Sequence, residues 1–180
     1  RGLLSRELSR GYLQRLSFAC AILHEPQIIF LDEPTSGVDP IQRRNFWNLM
    51  YDLAEKGITI FVTTHFLDEA ELCNRLSLIV NGKIVAIDSV AGFKSLLDNY
   101  PIYEIECEES VKALEIMQNV EWVKQVSIVG NSIHVTMASD NIDSSTISNQ
   151  LLQNSIKVER INRIKPSLED VFLYLVEGKN

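Results

Sequence analysis

The chain has 180 residues, 46% of them hydrophobic, with 17 basic and 24 acidic side chains and a net charge of −7. That is enough for one good core or two small ones, and it lacks the basic excess of a nucleic-acid binder, so no nucleic acid is expected as a partner. No apolar run approaches the roughly 20 residues of a membrane-spanning helix, and no secretory signal is recognisable.

Three cysteines, Cys20, Cys73 and Cys107, lie far apart and form neither a metal spacing nor a disulfide framework. They are expected as small buried apolar side chains in a reducing compartment, which makes this a cytoplasmic, globular chain. Arg1 heads what reads as a helical approach, Gly2 to Leu8, and is expected to be a cut edge rather than a natural start.

A helix is predicted from Ser9 or Arg10 to about His24, with Leu13, Leu16, Cys20 and Leu23 on one face. Glu25-Pro26 ends it, because proline pushes the preceding residue out of the helical region. Ile28 to Leu31 follows as a strand, apolar without alternation, as in a parallel strand covered on both faces. Asp39-Pro40 opens the next helix as N-cap and first helical residue. Its stripe is Phe46, Leu49, Met50 and Leu53, and Gly57 closes it. Ile58 to Thr63 is a second buried strand, and Leu67 to Arg75 a helix. Leu76 to Val80 and Lys83 to Ile87 flank Asn81-Gly82, a hairpin signal. Ser89 caps a short helix through Leu97.

From about residue 101 the texture changes. Tyr103, Ile105 and Cys107 alternate with Glu104, Glu106 and Glu108, a half-exposed strand. A helix with Val111, Leu114 and Met117 follows. Trp122 to Val129 and Ser132 to Met137 form a hairpin around Gly130-Asn131. Ile147 and Leu151 mark a further helix, and Ile156 to Ile164 a fourth strand. The order βαββαβ predicts a ferredoxin-like sandwich. Ser167, with Asp170 three residues on, starts a last helix whose face is Leu168, Val171, Phe172 and Leu175.

Chemistry concentrates at Ile28 to Pro34, where a buried strand delivers Asp32 and Glu33 at its C-terminal end, the edge at which open α/β sheets bind ligands. Adjacent carboxylates cost free energy unless positive charge shares the site, and magnesium on phosphates supplies it. One carboxylate can then serve the metal and the other orient or deprotonate a water. Alone, the pattern equally fits a polar turn. His65 ends the next apolar strand; parallel neighbours would bring it to the same sheet edge, where an imidazole can bond a terminal phosphate or the attacking water. Leu8-Ser9-Arg10-Gly11 precedes a helix whose free N–H groups favour an anion, or serves only as an N-cap. Ser36 to Asp39 is a tight loop before a capped helix. A non-nucleotide metal hydrolase built on Asp32, Glu33 and His65 is a further reading, one that leaves Ser9 to Gly11 unused.

Together these segments resemble the ATP-binding-cassette (ABC) family. Leu8 to Leu16 is similar to its signature sequence, Ile28 to Glu33 to its Walker B strand, Ser36 to Asp39 to its D-loop and His65 to its switch histidine. The resemblance implies an α/β fold: part of a P-loop NTPase sheet-and-helix core over 1–98, then a small α+β ferredoxin-like accessory domain over 99–180. That tail, ending Pro166 to Phe172, looks like the domain after some bacterial drug- and multidrug-export cassettes. The resemblance also implies ATP and Mg2+ as cofactors. Asp32 would serve the metal, Glu33 would be the catalytic carboxylate, and His65 would contact the terminal phosphate. Ser9 and Gly11 would touch nucleotide held by a second nucleotide-binding domain, with Ser36 and Asp39 at that dimer interface. A membrane-spanning permease would be the other partner, with the protein peripheral on the inner face of the cell membrane.

The sequence departs from the family pattern in two places. Arg10 stands where the signature has its first glycine and Tyr12 where it has glutamine. No G-x-x-x-x-G-K-[ST] phosphate loop occurs. The adenine-stacking aromatic and the glutamine loop would also lie upstream. The expectation is therefore a fragment of an exporter ATPase, inactive alone. The alternative is a natural half-cassette acting as a regulatory or heterodimer-forming partner.

Overall fold

The computed structural model describes residues 10–139 and 141–177, and packing divides the chain into two bodies between Phe66 and Leu67. The first contains α1 (Arg10–Ile22), β1 (Ile28–Asp32), α2 (Pro40–Glu55) and β2 (Thr59–Thr63). β1 and β2 pair in parallel, Ile28 opposite Thr59 through Asp32 opposite Thr63. Asp39 caps α2 as its composition predicts, accepting from the Gln42 N–H at 3.0 Å, with Pro40 entering the first turn. At the other end Gly57 takes φ +88°. Its N–H reaches the Ala54 carbonyl at 2.9 Å and the Ile58 N–H reaches Leu53 at 3.2 Å, a Schellman closure.

Three predicted faces differ from those observed in this body. Leu13, Leu16 and Cys20 of α1 are exposed, as is Leu23, which lies just beyond the helix end at Ile22. The packed side instead runs through Gly11, Gln14, Phe18 and Ala21, with the Phe18 ring 4.7 Å from Phe46 of α2. The helix carries two apolar stripes, and periodicity alone does not say which one meets α2. In β1 and β2, only one face is covered among the described residues. Ile29 is buried, whereas Phe30 and Phe61 pair with each other on an exposed face. Continuous apolar composition marks a strand able to be covered twice; which faces are covered depends on the neighbouring elements. In α2, Trp47 joins Met50 and Leu53 in the core, while Leu49 faces outward.

The second body contains α3 (Leu67–Ala70), β3 (Leu76–Val80), β4 (Lys83–Asp88), α4 (Val90–Ser95), β5 (Ile102–Cys107), α5 (Ser110–Met117), β6 (Val123–Val129), β7 (Ser132–Met137), α6 (Ser144–Gln153), β8 (Val158–Ile164) and α7 (Leu168–Glu177). α3 is shorter than the predicted Leu67 to Arg75. β3 and β4 form the expected hairpin, with Asn81 and Gly82 both at positive φ, as a type I′ turn requires.

β5 to β8 form one antiparallel sheet in the order β6-β7-β5-β8. With α5 and α6 as the crossovers, this is the ferredoxin-like arrangement. Ile105, Ile133, Val135 and Met137 meet Ala113 and Met117 of α5 and Ile147 and Leu151 of α6 in one core. Val111, predicted on the packed face of α5, is exposed; Ala113 takes its place. Ala has too little apolar surface to register in a hydrophobic pattern, yet it lets the helix approach the sheet closely.

α7 takes part in a second core. Leu168 and Val171 pack with Leu76, Leu78, Phe93, Leu97 and Ile102. By packing, then, the hairpin and α4 join the C-terminal body, so this boundary differs from the change of texture near residue 98. The alternate residues of β7, Ser132, His134 and Thr136, are buried too. Asp170 of α7 is fully buried and accepts from His134 Nδ1 at 3.0 Å through Oδ1. Its Oδ2 accepts from the Ser167 N–H and hydroxyl at 2.9 and 2.6 Å. Its own N–H donates back to Ser167 Oγ at 3.1 Å, completing a reciprocal capping box. Gln125 of β6 donates to the Asp170 carbonyl, and Glu71 accepts from the Leu168 N–H while pairing with Lys94. The cysteines do not fill the buried role expected of them: Cys20 is exposed, and Cys73 and Cys107 are half-buried.

Candidate functional site

The parallel pairing sets the site. Because Asp32 lies opposite Thr63, both strands end on one edge, and the chain leaves each strand with a charged or polar residue next in line. The Thr63 hydroxyl donates to Asp32 Oδ1 and, with the Thr63 carbonyl, accepts from the Glu33 N–H, each at 3.1 Å. Glu33 itself adopts φ +41°, a region sparsely used by residues with a side chain. Such a conformation costs about 1–3 kcal/mol and recurs where a side chain must be aimed. Here it accompanies a contact between Glu33 Oε1 and His65 Nδ1 at 3.3 Å, with both side chains about half exposed. Residues at the ends of two different strands, 32 positions apart in sequence, are thus brought to hydrogen-bonding reach.

The loop after Glu33 is built from two successive turns, Ser36 N–H to the Glu33 carbonyl and Val38 N–H to the Thr35 carbonyl, with Gly37 at φ +71°. It ends at Asp39, whose carboxylate is engaged in capping α2. Gln14 of α1 donates to the Ser36 carbonyl at 3.3 Å, tying the helix that carries Gly11 to this loop. Gly11 lies beside Pro34 and Val38 around a cavity of about 10 Å³, and a larger cleft of about 370 Å³ is lined in part by Asp32, Pro34, Phe18 and Phe30. Ser9 lies outside the described residues. Thus Glu33 and His65 are in contact, Asp32 is bonded to Thr63 at the same strand edge, and Gly11 and Asp39 flank the following loop from two helices.

Thr63, Gln14 and the ring of Phe66 were not singled out from the sequence. Thr63 was detectable in principle, as the residue opposite Asp32 once the strands are taken as parallel neighbours. Gln14 carries no local signal, because its role depends on how α1 meets the loop.

Asp32 is a hard oxygen donor held in place by a hydroxyl. That suits magnesium, which binds one or two carboxylates together with phosphate oxygens and water. Among the described residues no group of three or more His, Cys, Asp or Glu is disposed around a metal. An ion at Asp32 would take its remaining oxygens from water or from a ligand.

The chain is similar to several known proteins. Residues 1–66 match a family model described as "AAA domain, putative AbiEii toxin, Type IV TA system". Residues 95–176 match the model for the ATP-binding protein DrrA1-3-like, C-terminal domain. An Escherichia coli (strain K12) protein named "Probable multidrug ABC transporter ATP-binding protein YbhF" is 58% identical over 80 residues, 44% of this chain and 14% of that one. The fluoroquinolones export ATP-binding protein MT2762 of Mycobacterium tuberculosis (strain CDC 1551 / Oshkosh) is 46% identical over 48% of this chain and 29% of its own length. The daunorubicin resistance ATP-binding protein DrrA2 of Streptomyces coeruleorubidus is 30% identical over 93% of this chain and 53% of its own length. The chain spans about half or less of each of these relatives. A solved ATP-binding subunit of an ABC transporter aligns over 52% of this chain and 39% of its own, with 29% identity and a TM-score of 0.48.

The chain belongs to the ATP-binding-cassette transporter family. Within that family its similarity extends along nearly the whole chain to DrrA2, so both bodies, and not the strand-end cluster alone, have counterparts there.

Proposed function

We propose that this chain supplies the catalytic edge and the accessory domain of an ATP-hydrolysing exporter subunit. The observation that carries the reading is the 3.3 Å contact between Glu33 and His65, beside an Asp32 anchored by Thr63. Glu33 is placed to orient or deprotonate the attacking water, and His65 to hold Glu33 and meet the terminal phosphate. Magnesium bound with ATP neutralises charge on the phosphate oxygens, and Asp32 would lie in its shell. The phosphate loop is absent from this sequence, so on this reading the chain does not hold ATP by itself.

Two such subunits would enclose the nucleotides, with Ser9 and Gly11 facing ATP held by the opposing subunit and Ser36 and Asp39 lying along the contact. A permease would couple hydrolysis to export of a drug-like molecule, in line with the multidrug, fluoroquinolone and daunorubicin relatives. No helix among the described residues is long and apolar enough to cross a membrane. The complete subunit would then meet the membrane through that permease, on its cytoplasmic side.

The test is Glu33→Gln in the complete protein. Loss of a positioned general base lowers turnover about 100-fold or more, and ATP binding is expected to survive. Hydrolysis at the parental rate in that variant would remove Glu33 from the role.

A further inference from the structure

His65 sits on an exposed strand end, and nothing in its own backbone fixes its ring against Glu33. A side chain there has three staggered choices at its first torsion, and the geometry must select one. The next residue supplies a platform. The Phe66 ring centroid lies 4.1 Å from that of His65, the planes tilted by 39°. The Phe66 N–H donates to Thr64 Oγ1 at 3.1 Å, which closes the Thr64–Phe66 turn that carries both rings. On the Phe66 ring lies the Arg43 guanidinium, its Cζ 4.3 Å from the centroid. That is within cation–π range, and a planar guanidinium stacks on a ring in a way an ammonium does not.

Arg43 comes from α2, one turn beyond its cap. Its own N–H donates to the Asp39 carbonyl at 2.9 Å. The order of contacts is therefore Asp39, Arg43, Phe66, His65, Glu33. It joins the loop before α2 to the candidate catalytic carboxylate through packed side chains within one body of the fold.

We infer that Arg43 and Phe66 are positioning residues that hold the His65 imidazole against Glu33, so that the placement of the N-terminal turn of α2 governs the hydrolytic cluster. This rests on the assignment of Glu33 and His65 to ATP hydrolysis. Neither residue touches nucleotide on this account; both act through His65. Phe66 is half-buried and Arg43 half-buried, so a change at either can be made without opening the core around Trp47 and Met50.

The experiment uses the complete subunit, with Arg43→Gln, Arg43→Lys, Phe66→Leu and Phe66→Tyr, each in the parental and His65→Ala backgrounds. Arg43→Gln and Phe66→Leu keep most of the side-chain volume and lose the ring contact. Each is expected to lower kcat about three- to thirtyfold, the rate equivalent of one cation–π contact, with KM for ATP within about twofold. Phe66→Tyr keeps the ring face and is expected to retain parental kcat; Arg43→Lys falls between the two. In the His65→Ala background the same substitutions are expected to add nothing, because residues acting as a unit are not additive. Equal losses in both backgrounds would overturn the inference, since they would show an effect that bypasses His65. A parental kcat in Arg43→Gln and Phe66→Leu, with His65→Ala strongly impaired, would overturn it while leaving the hydrolytic assignment intact. A His65→Ala variant of parental activity would defeat both.

Discussion

Asp170→Ala tests how the last helix is held. The carboxylate is fully buried and satisfies three donors: His134 Nδ1 at 3.0 Å, and the Ser167 N–H and hydroxyl at 2.9 and 2.6 Å. Removing it costs the capping box, about 1 kcal/mol. It also strands His134, only 6% exposed, without its partner, which costs about 1–3 kcal/mol more. The expected loss is about 2–4 kcal/mol, or roughly 8–16 °C in the melting of a body of this size. Hydrogen exchange followed by mass spectrometry on the whole chain reads this locally: amides of α7 and β7 should exchange about 30-fold faster or more. Replacing both partners, Asp170→Ala with His134→Leu, should recover part of the loss, because no buried polar group is then left unpaired.

The pH dependence has a definite sign. Burial opposes charge on the His134 imidazole, but the Asp170 hydrogen bond and the charges of Asp170, Glu104 and Glu169 hold it above its ordinary value. Burial likewise opposes the Asp170 carboxylate, yet bonds from His134 and Ser167 hold it below. The histidine contribution is complete below about pH 6.5 and is lost as pH rises through the raised value; the aspartate contribution is complete above about pH 4 and is lost as pH falls through the lowered one. Protection of α7 should therefore peak between about pH 4 and 6.5, and the decline above that range should vanish in Asp170→Ala. Less than a fivefold change in α7 exchange, or an unchanged pH profile, would refute the reasoning.

Asp39→Ala should cost the first body about 1 kcal/mol through loss of the α2 cap, read as faster exchange of the Gln42 amide it now engages. Ile105→Ala, at the fully buried centre of the ferredoxin-like core, should cost about 2–5 kcal/mol by urea unfolding; a loss below about 1 kcal/mol would mean that the core collapses around the deleted atoms.

Much of the molecule was legible before any coordinates. Local chemistry determined the Asp39-Pro40 helix start, the Gly57 stop, the Asn81-Gly82 hairpin and the Ser167–Asp170 box, because each is settled within a few residues by capping or by positive φ. Strand ends carrying Asp32, Glu33 and His65 were readable because a chain that alternates buried strands with helices places its strand ends on a shared edge. The ferredoxin-like order followed from the sequence of elements.

Tertiary structure decided what depends on partners distant in sequence. It chose the Gly11, Gln14, Phe18 and Ala21 side of α1 over the leucine stripe. It set the Glu33–His65 distance, and it brought Arg43 over Phe66. It also made α7 part of a core with β3, β4 and α4, so that packing divides the chain at Phe66. Periodicity records that a residue has an apolar or polar side; only the packed neighbours determine which group that side meets.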